Sequence, residues 1–248
     1  MDASLQGKTV LVTGGARRVG AAISRRLHGA GASVLLHYRD SATDADRLAA
    51  ELNAGRADSA ATVKAELLAP VAPRALVSAA LERFGALDVL VNNASSFFPT
   101  ALGAIEASHW EELIGSNLRA PLFIAQAAAP ELAKRSGAIV NIVDIHAERP
   151  LKGYPVYSIA KAGLAALTRS LAVELAPAVR VNGVAPGAIA WPEDGQFPDE
   201  ERARIVATTP LGRTGTAEDI AQAVHFLACA PYVTGQIIAV DGGRSIFL

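Results

Sequence analysis

The sequence predicts an α/β fold: a single doubly wound domain, residues 1–248, with a mainly parallel sheet of seven strands. Two observations predict it. Short runs rich in β-branched residues alternate with longer stretches whose apolar residues recur at helical spacing, which is typical of a parallel sheet with crossover helices. No linker or low-complexity segment interrupts this alternation, and 51% apolar against 19% charged residues are enough for a folded core.

The elements follow one another in strand and helix order. The first strand, residues 8–13, ends in a glycine-rich turn, and the helix that starts at Arg18 stops at Gly29. Further strands are expected at residues 33–37, 61–65, 87–91, 138–143, 180–184 and 236–240. Further helices are expected at residues 43–53, 71–84, 111–135, 156–175 and 217–228.

Two segments depart from this regular alternation. Residues 186–198 have no regular pattern and are interpreted as a functional loop, part of a substrate region that extends to about residue 210. Residues 220–240 contain no Asp, Glu, Lys or Arg and are long enough to span a bilayer. Because Pro231, Gly235 and Gln236 interrupt them, a helix followed by a buried strand explains this stretch better.

Charge and composition exclude several classes of function. The 23 basic residues are balanced by 24 acids and form no basic block, so no nucleic-acid partner is expected. The first residues carry no secretory pattern, so we expect a cytoplasmic protein with no membrane partner. Cys229 lies in an apolar helical pattern and is interpreted as core filler rather than a catalytic thiol, and no metal site is expected.

The turn from Thr13 to Gly20 joins the first strand to the first helix. A dinucleotide pyrophosphate would meet backbone amides and the positive end of a helix at such a position. Alone the turn is weak evidence, because an ordinary strand–helix turn has a similar composition. The second strand supplies further support for a nucleotide site.

That strand ends in His37, Tyr38 and Arg39, at the place that contacts the adenosine ribose in such folds. An acid at the strand end would favour NAD, whereas Arg39, with Arg18 nearby, offers cations to a 2′-phosphate. We therefore expect NADPH as cofactor. Asp40 would oppose the phosphate unless its carboxylate points away, and the alternative interpretation of Arg39 is a solvated surface charge.

A group of candidate catalytic residues lies in the second half of the chain. Tyr157 and Lys161 are four residues apart on a predicted helix, so their side chains project from one face. An ammonium beside a phenol favours phenolate, so we expect a lowered pKa for Tyr157 and an acid–base role. Asp144 ends the preceding strand, and Asn117 lies in the helix before that strand.

Together these features resemble the short-chain dehydrogenase/reductase family, a Rossmann-type fold, over essentially the whole chain. The matching motifs are the turn at 13–20, Asn92-Asn93-Ala94, Asn117, Tyr157 with Lys161, Pro186-Gly187, and residues 240–243. The resemblance implies that Tyr157 donates a proton and that Lys161 binds the nicotinamide ribose while lowering the tyrosine pKa. It also implies that Asn117 supports a water relay and that Asn93 and Ala94 line the adenosine side.

Three positions depart from the usual family pattern. Arg18 and Ser95 stand where glycine is usual, and Asp144 stands where a serine usually polarises a ketone oxygen. A carboxylate facing a developing alkoxide is repulsive, whereas it suits a nitrogen heterocycle that exchanges protons. With Phe97, these departures are similar to the pteridine reductases within the family.

That similarity implies reduction of a dihydropterin by NADPH, with dihydrofolate as a further possible substrate. The implied reaction transfers a hydride to a C=N bond and takes a proton from Tyr157 or Asp144. The expected substrate contacts are Arg18, Ser95, Phe97, Asp144 and Tyr157. The expected catalytic residues are Asp144, Tyr157, Lys161 and Asn117. The expected cofactor contacts are Gly14, Arg18, Val19, Gly20, His37, Tyr38, Arg39, Ser41, Glu66, Leu67, Asn93, Ala94, Ser95, Tyr157, Lys161, Pro186 and Gly187.

Several alternatives stay open. Asp144 could instead cap the end of its strand or pair with Arg149. Phe97 and Phe98 could instead be ordinary core aromatics. The rival functions are a carbonyl reductase acting on 3-oxoacyl thioesters, sugars or steroids, and a catalytically silent NADP-binding sensor. Trp191 and Phe197 either close the pocket or pack at a subunit interface. The resemblance implies a homotetramer in which the helix at 156–175 packs against a partner copy.

Overall fold

The computed structural model describes residues 4–189 and 197–247. The strands are β1 (Thr9–Val12), β2 (Ser33–Tyr38), β3 (Ala60–Lys64), β4 (Val89–Asn92), β5 (Ala138–Ile142), β6 (Arg180–Pro186) and β7 (Ile237–Val240). They form a seven-stranded sheet in the order β3-β2-β1-β4-β5-β6-β7, and every neighbouring pair is parallel. The predicted α/β class with a doubly wound parallel sheet is therefore confirmed.

Helices cover both faces of this sheet. The helices are α1 (Arg18–Gly29), α2 (Ala42–Gly55), α3 (Ala72–Phe84), α4 (Ala107–Ile114), α5 (Ala120–Ala133), α6 (Pro155–Glu174), α7 (Asp199–Ala207), α8 (Ala217–Cys229) and α9 (Arg244–Phe247). A π-helical turn, Gly115–Arg119, joins α4 to α5, and a 3₁₀ turn, Ile145–Ala147, follows β5.

The alternation of side chains along β1, an inner strand of the sheet, divides the core into two layers. Val10 and Val12 of β1 are fully buried in the layer that contains α1 and α8, whereas Leu11 is buried in the layer that contains α3 and α5. A strand apolar on both faces is what a parallel sheet covered by helices requires. Because all the strands are parallel, their carboxyl ends lie at one edge of the sheet, and the candidate site lies at this edge.

Three local differences separate the structure from the sequence prediction. The single helix expected at 111–135 is two helices joined by the π-helical turn. Helix α7 lies inside the predicted substrate region. The acidic residues of its first turn, after Pro198, are a helix start signal, but the helix was not predicted because it has few apolar residues. The short helix α9 was also not expected. Trp191 lies outside the described residues.

The stretch 220–240 resolves as predicted into a helix end, α8, and the strand β7. In the part of the chain that the structure describes, we find no helix that combines the length and the apolar character needed to cross a membrane.

Candidate active site

A cavity of about 860 Å³ opens at the carboxyl ends of the strands. Every residue that the sequence analysis assigned to cofactor or substrate contact lines this cavity, from Gly14 in the first turn to Gly187 after β6. Asp144, Tyr157 and Lys161 also line it, whereas Asn117 does not. The structure thus brings together residues separated by most of the chain length.

The turn between β1 and α1 forms one end of the cavity. Gly14 has a φ of +59°, and a Cβ on Gly20 would stand 2.0 Å from the carbonyl oxygen of Gly14, so only glycine fits at position 20. Arg18 also has a left-handed backbone, with a φ of +49°. The residue that replaces the family's usual glycine therefore keeps the backbone conformation that glycine adopts at least cost.

His37 holds this turn in place from the end of β2. Its Nδ1 accepts the N–H of Gly14 at 3.1 Å, and its Nε2 lies 3.0 Å from the carbonyl oxygen of Ala65. These two partners require a neutral ring with its proton on Nε2. Burial lowers the pKa of His37 below its usual value, which favours the same neutral form. His37 lines the cavity and also positions its phosphate-binding turn.

Asn93 and Thr13 connect the turn to the end of β4. The Asn93 side-chain amide donates to the carbonyl oxygens of Thr13 and Gly14, each at 3.0 Å. The hydroxyl of Thr13 accepts the backbone N–H groups of Asn93 and Ala94 at 2.9 and 3.1 Å. This network fixes the spacing between the two loops that flank the adenosine side of the cavity.

Arg39, the expected reader of a 2′-phosphate, lies at the rim with about half of its side chain exposed. Its Nε donates to Asp40 at 2.8 Å, and its guanidinium lies 3.6 Å from Glu112 of α4. Glu112 in turn accepts the hydroxyl of Ser96. Asp40 therefore does not point away from Arg39, and a phosphate would have to compete with two carboxylates for the guanidinium.

The segments that follow β2 and β3 form the part of the cavity where the adenine is expected. Ser41 directly precedes α2 and lines the cavity. The Glu66 carboxylate accepts the backbone N–H of Leu68 at 3.0 Å, which keeps Glu66 and Leu67 in a tight loop at the cavity wall.

Asp144 and Tyr157 form a direct pair at the other end of the cavity. The Tyr157 hydroxyl donates to Asp144 Oδ2 at 2.7 Å, while Asp144 Oδ1 accepts the backbone N–H of His146 at 2.8 Å. The capping interpretation of Asp144 and the catalytic interpretation are thus compatible, since each uses a different oxygen. In the described residues no ion pair joins Asp144 to Arg149.

The expected effect of Lys161 on Tyr157 is not what this geometry gives. The ammonium donates to the carbonyl oxygen of Ile142 at 2.9 Å and lies 5.7 Å from the centre of the Tyr157 ring. Burial and the charge of Asp144 raise the pKa of Tyr157 well above its usual value, which corrects the predicted lowering. Burial also lowers the pKa of Lys161 to about 8. In this arrangement Tyr157 is a protonated acid.

Asn117 is buried behind the cavity wall, on the π-helical turn. Its side-chain N–H groups donate to the carbonyl oxygens of Ser96 and Leu113, each at 2.9 Å. Its Oδ1 is buried and has no hydrogen-bond partner among the described residues. This pattern ties the loop that contains Phe97 to the helix and leaves one acceptor for the water relay that the sequence resemblance implies.

Aromatic rings surround Phe97. Tyr154 stacks on it with centroids 4.8 Å apart and planes 13° apart, and Tyr157 meets its edge at 4.8 Å. Phe197 lies nearly parallel to it at 6.3 Å. Phe98 packs edge-on against His109 and, like Phe97, packs against the buried group that contains Tyr154 and Tyr157. Phe97 therefore contributes to an aromatic wall beside the Asp144–Tyr157 pair, and its contact with a flat substrate stays a prediction.

The cavity lining also contains charged residues that were not predicted from the sequence. Glu112, Arg204 and Arg244 are among them. Glu112 gives no sequence signal, because its contact with Arg39 joins distant segments. Arg244 directly follows Gly243 at the end of the family motif, and its position beside that motif was the available signal.

The residues at the turn fit a dinucleotide cofactor. The space left by the missing side chains of Gly14 and Gly20 is bounded by backbone and lies at the start of α1, where the N–H groups of a helix attract phosphate. The ordered Asn93 contacts keep this space open. A parallel sheet, a glycine-lined phosphate turn and a tyrosine–lysine pair on one helix define a nicotinamide-dependent oxidoreductase.

Comparison with known proteins agrees with this class. A family model described as enoyl-(acyl carrier protein) reductase matches residues 14–245. The chain belongs to the short-chain dehydrogenase/reductase family, whose members are oxidoreductases that use NAD(H) or NADP(H).

Individual relatives cover nearly the whole chain and differ in their named substrates. Pteridine reductase 1 of Leishmania tarentolae is 41% identical, covering 99% of both chains. A putative ketoacyl reductase for granaticin polyketide synthesis from Streptomyces violaceoruber is 38% identical over 97% of both. The 3-oxoacyl-[acyl-carrier-protein] reductase of Staphylococcus aureus is 36% identical, covering 95% of this chain and 97% of its own.

Proposed function

We propose that this protein reduces dihydropterins to their tetrahydro forms with NADPH. The observation that carries the proposal is the 2.7 Å hydrogen bond from Tyr157 to Asp144 Oδ2, in a cavity whose wall is the Phe97 ring. It places a carboxylate where ketone reductases of this family usually have a serine hydroxyl. The 41% identical pteridine reductase of Leishmania tarentolae supports the same substrate class.

The charge of Asp144 favours a nitrogen heterocycle over a ketone. Reduction of a ketone builds negative charge on an oxygen, and a carboxylate beside that oxygen destabilises the transition state. A dihydropterin instead presents ring N–H and amino groups that donate to a carboxylate, and its reaction adds a proton to a ring nitrogen. The aromatic cluster around Phe97 supplies a flat apolar surface on which such a ring can stack.

The proton for the ring nitrogen is supplied by Tyr157, whose phenol stays protonated. When bound, NADPH supplies the hydride that adds to the C=N carbon. Tyr157 keeps its phenol proton because burial and Asp144 raise its pKa. It delivers this proton to the adjacent nitrogen, directly or through Asp144 and water, and is reprotonated from solvent. Lys161 donates to the Ile142 carbonyl and holds a positive charge close to the Tyr157 ring.

The preference for NADPH over NADH rests on Arg39 and Arg18, which line the adenosine and turn regions of the cavity. Arg39 could give up its exposed contact with Asp40 to hold a 2′-phosphate, since a surface ion pair of this kind contributes only about 0–1 kcal/mol. A phosphate would carry more charge than the carboxylate and would suit the planar donor set of the guanidinium.

We also propose a cytoplasmic homotetramer. Leu122 and Phe123 of α5 and Ile159 of α6 are exposed apolar side chains on two helices that both pack against the π-helical turn, which suits burial against further copies. Sedimentation equilibrium of the purified chain is expected to give four times 25.6 kDa. A monomer at micromolar concentration would contradict the proposal.

Reduction of a 3-oxoacyl thioester is the second candidate, supported by the ketoacyl and 3-oxoacyl reductases among the relatives. The deciding experiment measures NADPH oxidation by the purified chain with dihydrobiopterin, dihydrofolate and an acetoacetyl thioester. We expect turnover of the pterins and at least ~100-fold lower kcat/KM for the thioester. Activity on the thioester alone would establish the second candidate, and binding of NADPH without any turnover would favour a sensor.

A further inference from the structure

One end of the cavity contains a buried cation that the proposed reaction does not use. Arg244, the first residue of α9, is 7% exposed and lines the cavity together with Phe197, Glu201, Arg204 and Ile205. Its Nη1 donates to the Ile205 carbonyl oxygen at 3.1 Å and to the Thr208 hydroxyl at 2.8 Å. These contacts fix the guanidinium against the C-terminal end of α7.

No carboxylate neutralises Arg244 at contact distance in the part of the chain that the structure describes. Asp241 attracts it from beyond ion-pair distance, but the two Asp241 oxygens accept the backbone N–H groups of Gly243 and Ser245. Glu201 lies 3.5 Å from Arg204 and is paired there. The C-terminal end of a helix offers only about half a negative charge to the Arg244 guanidinium.

A buried guanidinium without a contact ion pair is costly unless an anion reaches it. Burial first, and then the like charge of Arg204, lower the pKa of Arg244, although an arginine stays charged. Both cations border the cavity that also holds Phe97 and Tyr157. A ligand seated on the aromatic wall thus shares one continuous space with the two guanidinium groups.

We propose that Arg244, assisted by Arg204, binds an anionic group of the substrate: a carboxylate or a phosphate on the side chain that extends from the reacting ring. This inference rests on the proposed dihydropterin reduction and specifies its substrate class further. Arg244 offers a rigid planar donor set that is already oriented by Ile205 and Thr208. Arg204 is mostly exposed and adds a weaker attraction.

The test compares three dihydropterins with NADPH and the full chain: dihydrobiopterin with a neutral side chain, dihydrofolate with carboxylates, and dihydroneopterin monophosphate. We expect at least one anionic substrate to have the highest kcat/KM, and the better of the two identifies the group bound. Arg244→Met should lower kcat/KM for that substrate by about 10- to 100-fold, the value of a hydrogen bond to a charged group. Dihydrobiopterin turnover should change less than about threefold.

Matched variants separate binding from folding. Arg244→Lys keeps the charge and should retain part of the preference, whereas Arg74→Met removes one charge from an exposed position of α3 and should change nothing. If Arg244→Met does not fold, Arg204→Met, on an exposed side chain, should still reduce the anionic preference by about two- to fivefold.

Three results distinguish the possible failures. Equal losses for neutral and anionic pterins in the Arg244 and Arg204 variants would make these residues structural and overturn the inference. A raised KM for NADPH with unchanged pterin preference would assign Arg244 to the cofactor and also overturn it. Wild-type protein that reduces none of the three pterins would instead refute the proposed function itself.

Discussion

At the residue scale, the proposed substrate class depends on Asp144. Its two oxygens have different partners: Oδ1 accepts the backbone N–H of His146 and caps the 3₁₀ turn, and Oδ2 accepts the hydrogen bond of the Tyr157 hydroxyl. The first contact holds the carboxylate in one orientation, so the second is available at a fixed position. A serine would provide a hydroxyl donor here but no charge. We therefore propose that the identity of this one side chain selects between ketone reduction and reduction of a nitrogen heterocycle.

Replacing Asp144 tests this selection. Asp144→Ser should lower kcat/KM for dihydrobiopterin by about 10²-fold or more, because a positioned proton-transfer group is lost. It should raise kcat/KM for an acetoacetyl thioester, because the repulsive charge is gone. Steady-state NADPH oxidation measures both. Asp58→Asn, a substitution of an exposed acid on the surface, serves as the control. An unchanged ratio of the two activities would show that Asp144 does not set substrate class.

We expect Lys161 to set an upper pH limit for the reaction. Because burial lowers its pKa to about 8, the free enzyme carries the ammonium below that pH and loses it above. The pH profile of kcat/KM reports ionisations of the free enzyme, so it should fall tenfold per pH unit above about 8. Lys161→Arg keeps a charge at every accessible pH and should lose this limb even if its rate is lower. A wild-type profile that stays flat to pH 9.5 would contradict the assignment.

At the element scale, the β1–α1 turn combines three constraints. Gly20 makes room for the Gly14 carbonyl, His37 holds the Gly14 N–H, and Asn93 holds the carbonyl oxygens. Arg18 sits in this turn with a positive φ that costs a non-glycine residue about 1–2 kcal/mol. The turn is kept in shape by its neighbours rather than by the preferences of its own residues.

Substitutions at Arg18 separate backbone strain from side-chain contact. Both Arg18→Gly and Arg18→Ala remove the guanidinium, and only glycine relieves the left-handed conformation. The glycine variant should therefore be more stable than the alanine variant by up to about 1 kcal/mol, because the lower strain outweighs the greater chain entropy of unfolded glycine. Urea unfolding measures the difference. Both variants should bind NADPH more weakly to a similar degree. Equal or reversed stabilities would show that the turn is not strained.

The elements also show how far sequence reasoning reaches. Strand and helix order follows from local periodicity, so the seven strands were placed within a few residues. The motif positions were sufficient to place every predicted cofactor and substrate contact in the cavity at the carboxyl ends of the strands, although other residues also line it. Helix α7 escaped detection because its nine residues bury only Ile205, too little for a helical apolar pattern. The spacing of apolar residues reveals only helices and strands that bury an apolar face, and α7 buries a small one.

Contacts between distant segments were beyond sequence reasoning for a different reason. The Arg39–Glu112 approach and the Tyr157–Asp144 hydrogen bond depend on side-chain conformations in the folded protein. The direction of the Tyr157 pKa shift was mispredicted because the spacing of Tyr157 and Lys161 says nothing of burial or of where the ammonium donates. Which groups meet was largely predictable, and how they interact was not.

At the scale of the whole molecule, cofactor binding and folding are linked. A ligand at 100 times its Kd stabilises the native state by about 2.7 kcal/mol, and a domain of this size gains about 2–4 °C in Tm per kcal/mol. Saturating NADPH should thus raise Tm by about 5–10 °C, and NADH at the same concentration by less. Arg39→Ala should remove most of that difference, whereas Arg83→Ala, on α3, should leave it unchanged. An equal or larger shift with NADH in the wild type would contradict the 2′-phosphate assignment.

The π-helical turn at Gly115–Arg119 has a consequence for the whole arrangement. A π turn holds one residue more than an α turn, so the helical face presented before it and the face presented after it are offset. Helix α4 packs against α6 beside the site, whereas α5 packs against α3 within the core. The α4, π-helical and α5 segments follow one another without a gap, and together they present apolar faces to α6 and to α3, which a regular helix could not do at once. Because the π-helical turn that contains Asn117 offsets these two faces, the residues of α4 can face α6 while the residues of α5 face α3. A substitution that improves one of these contacts therefore need not rotate the other helix.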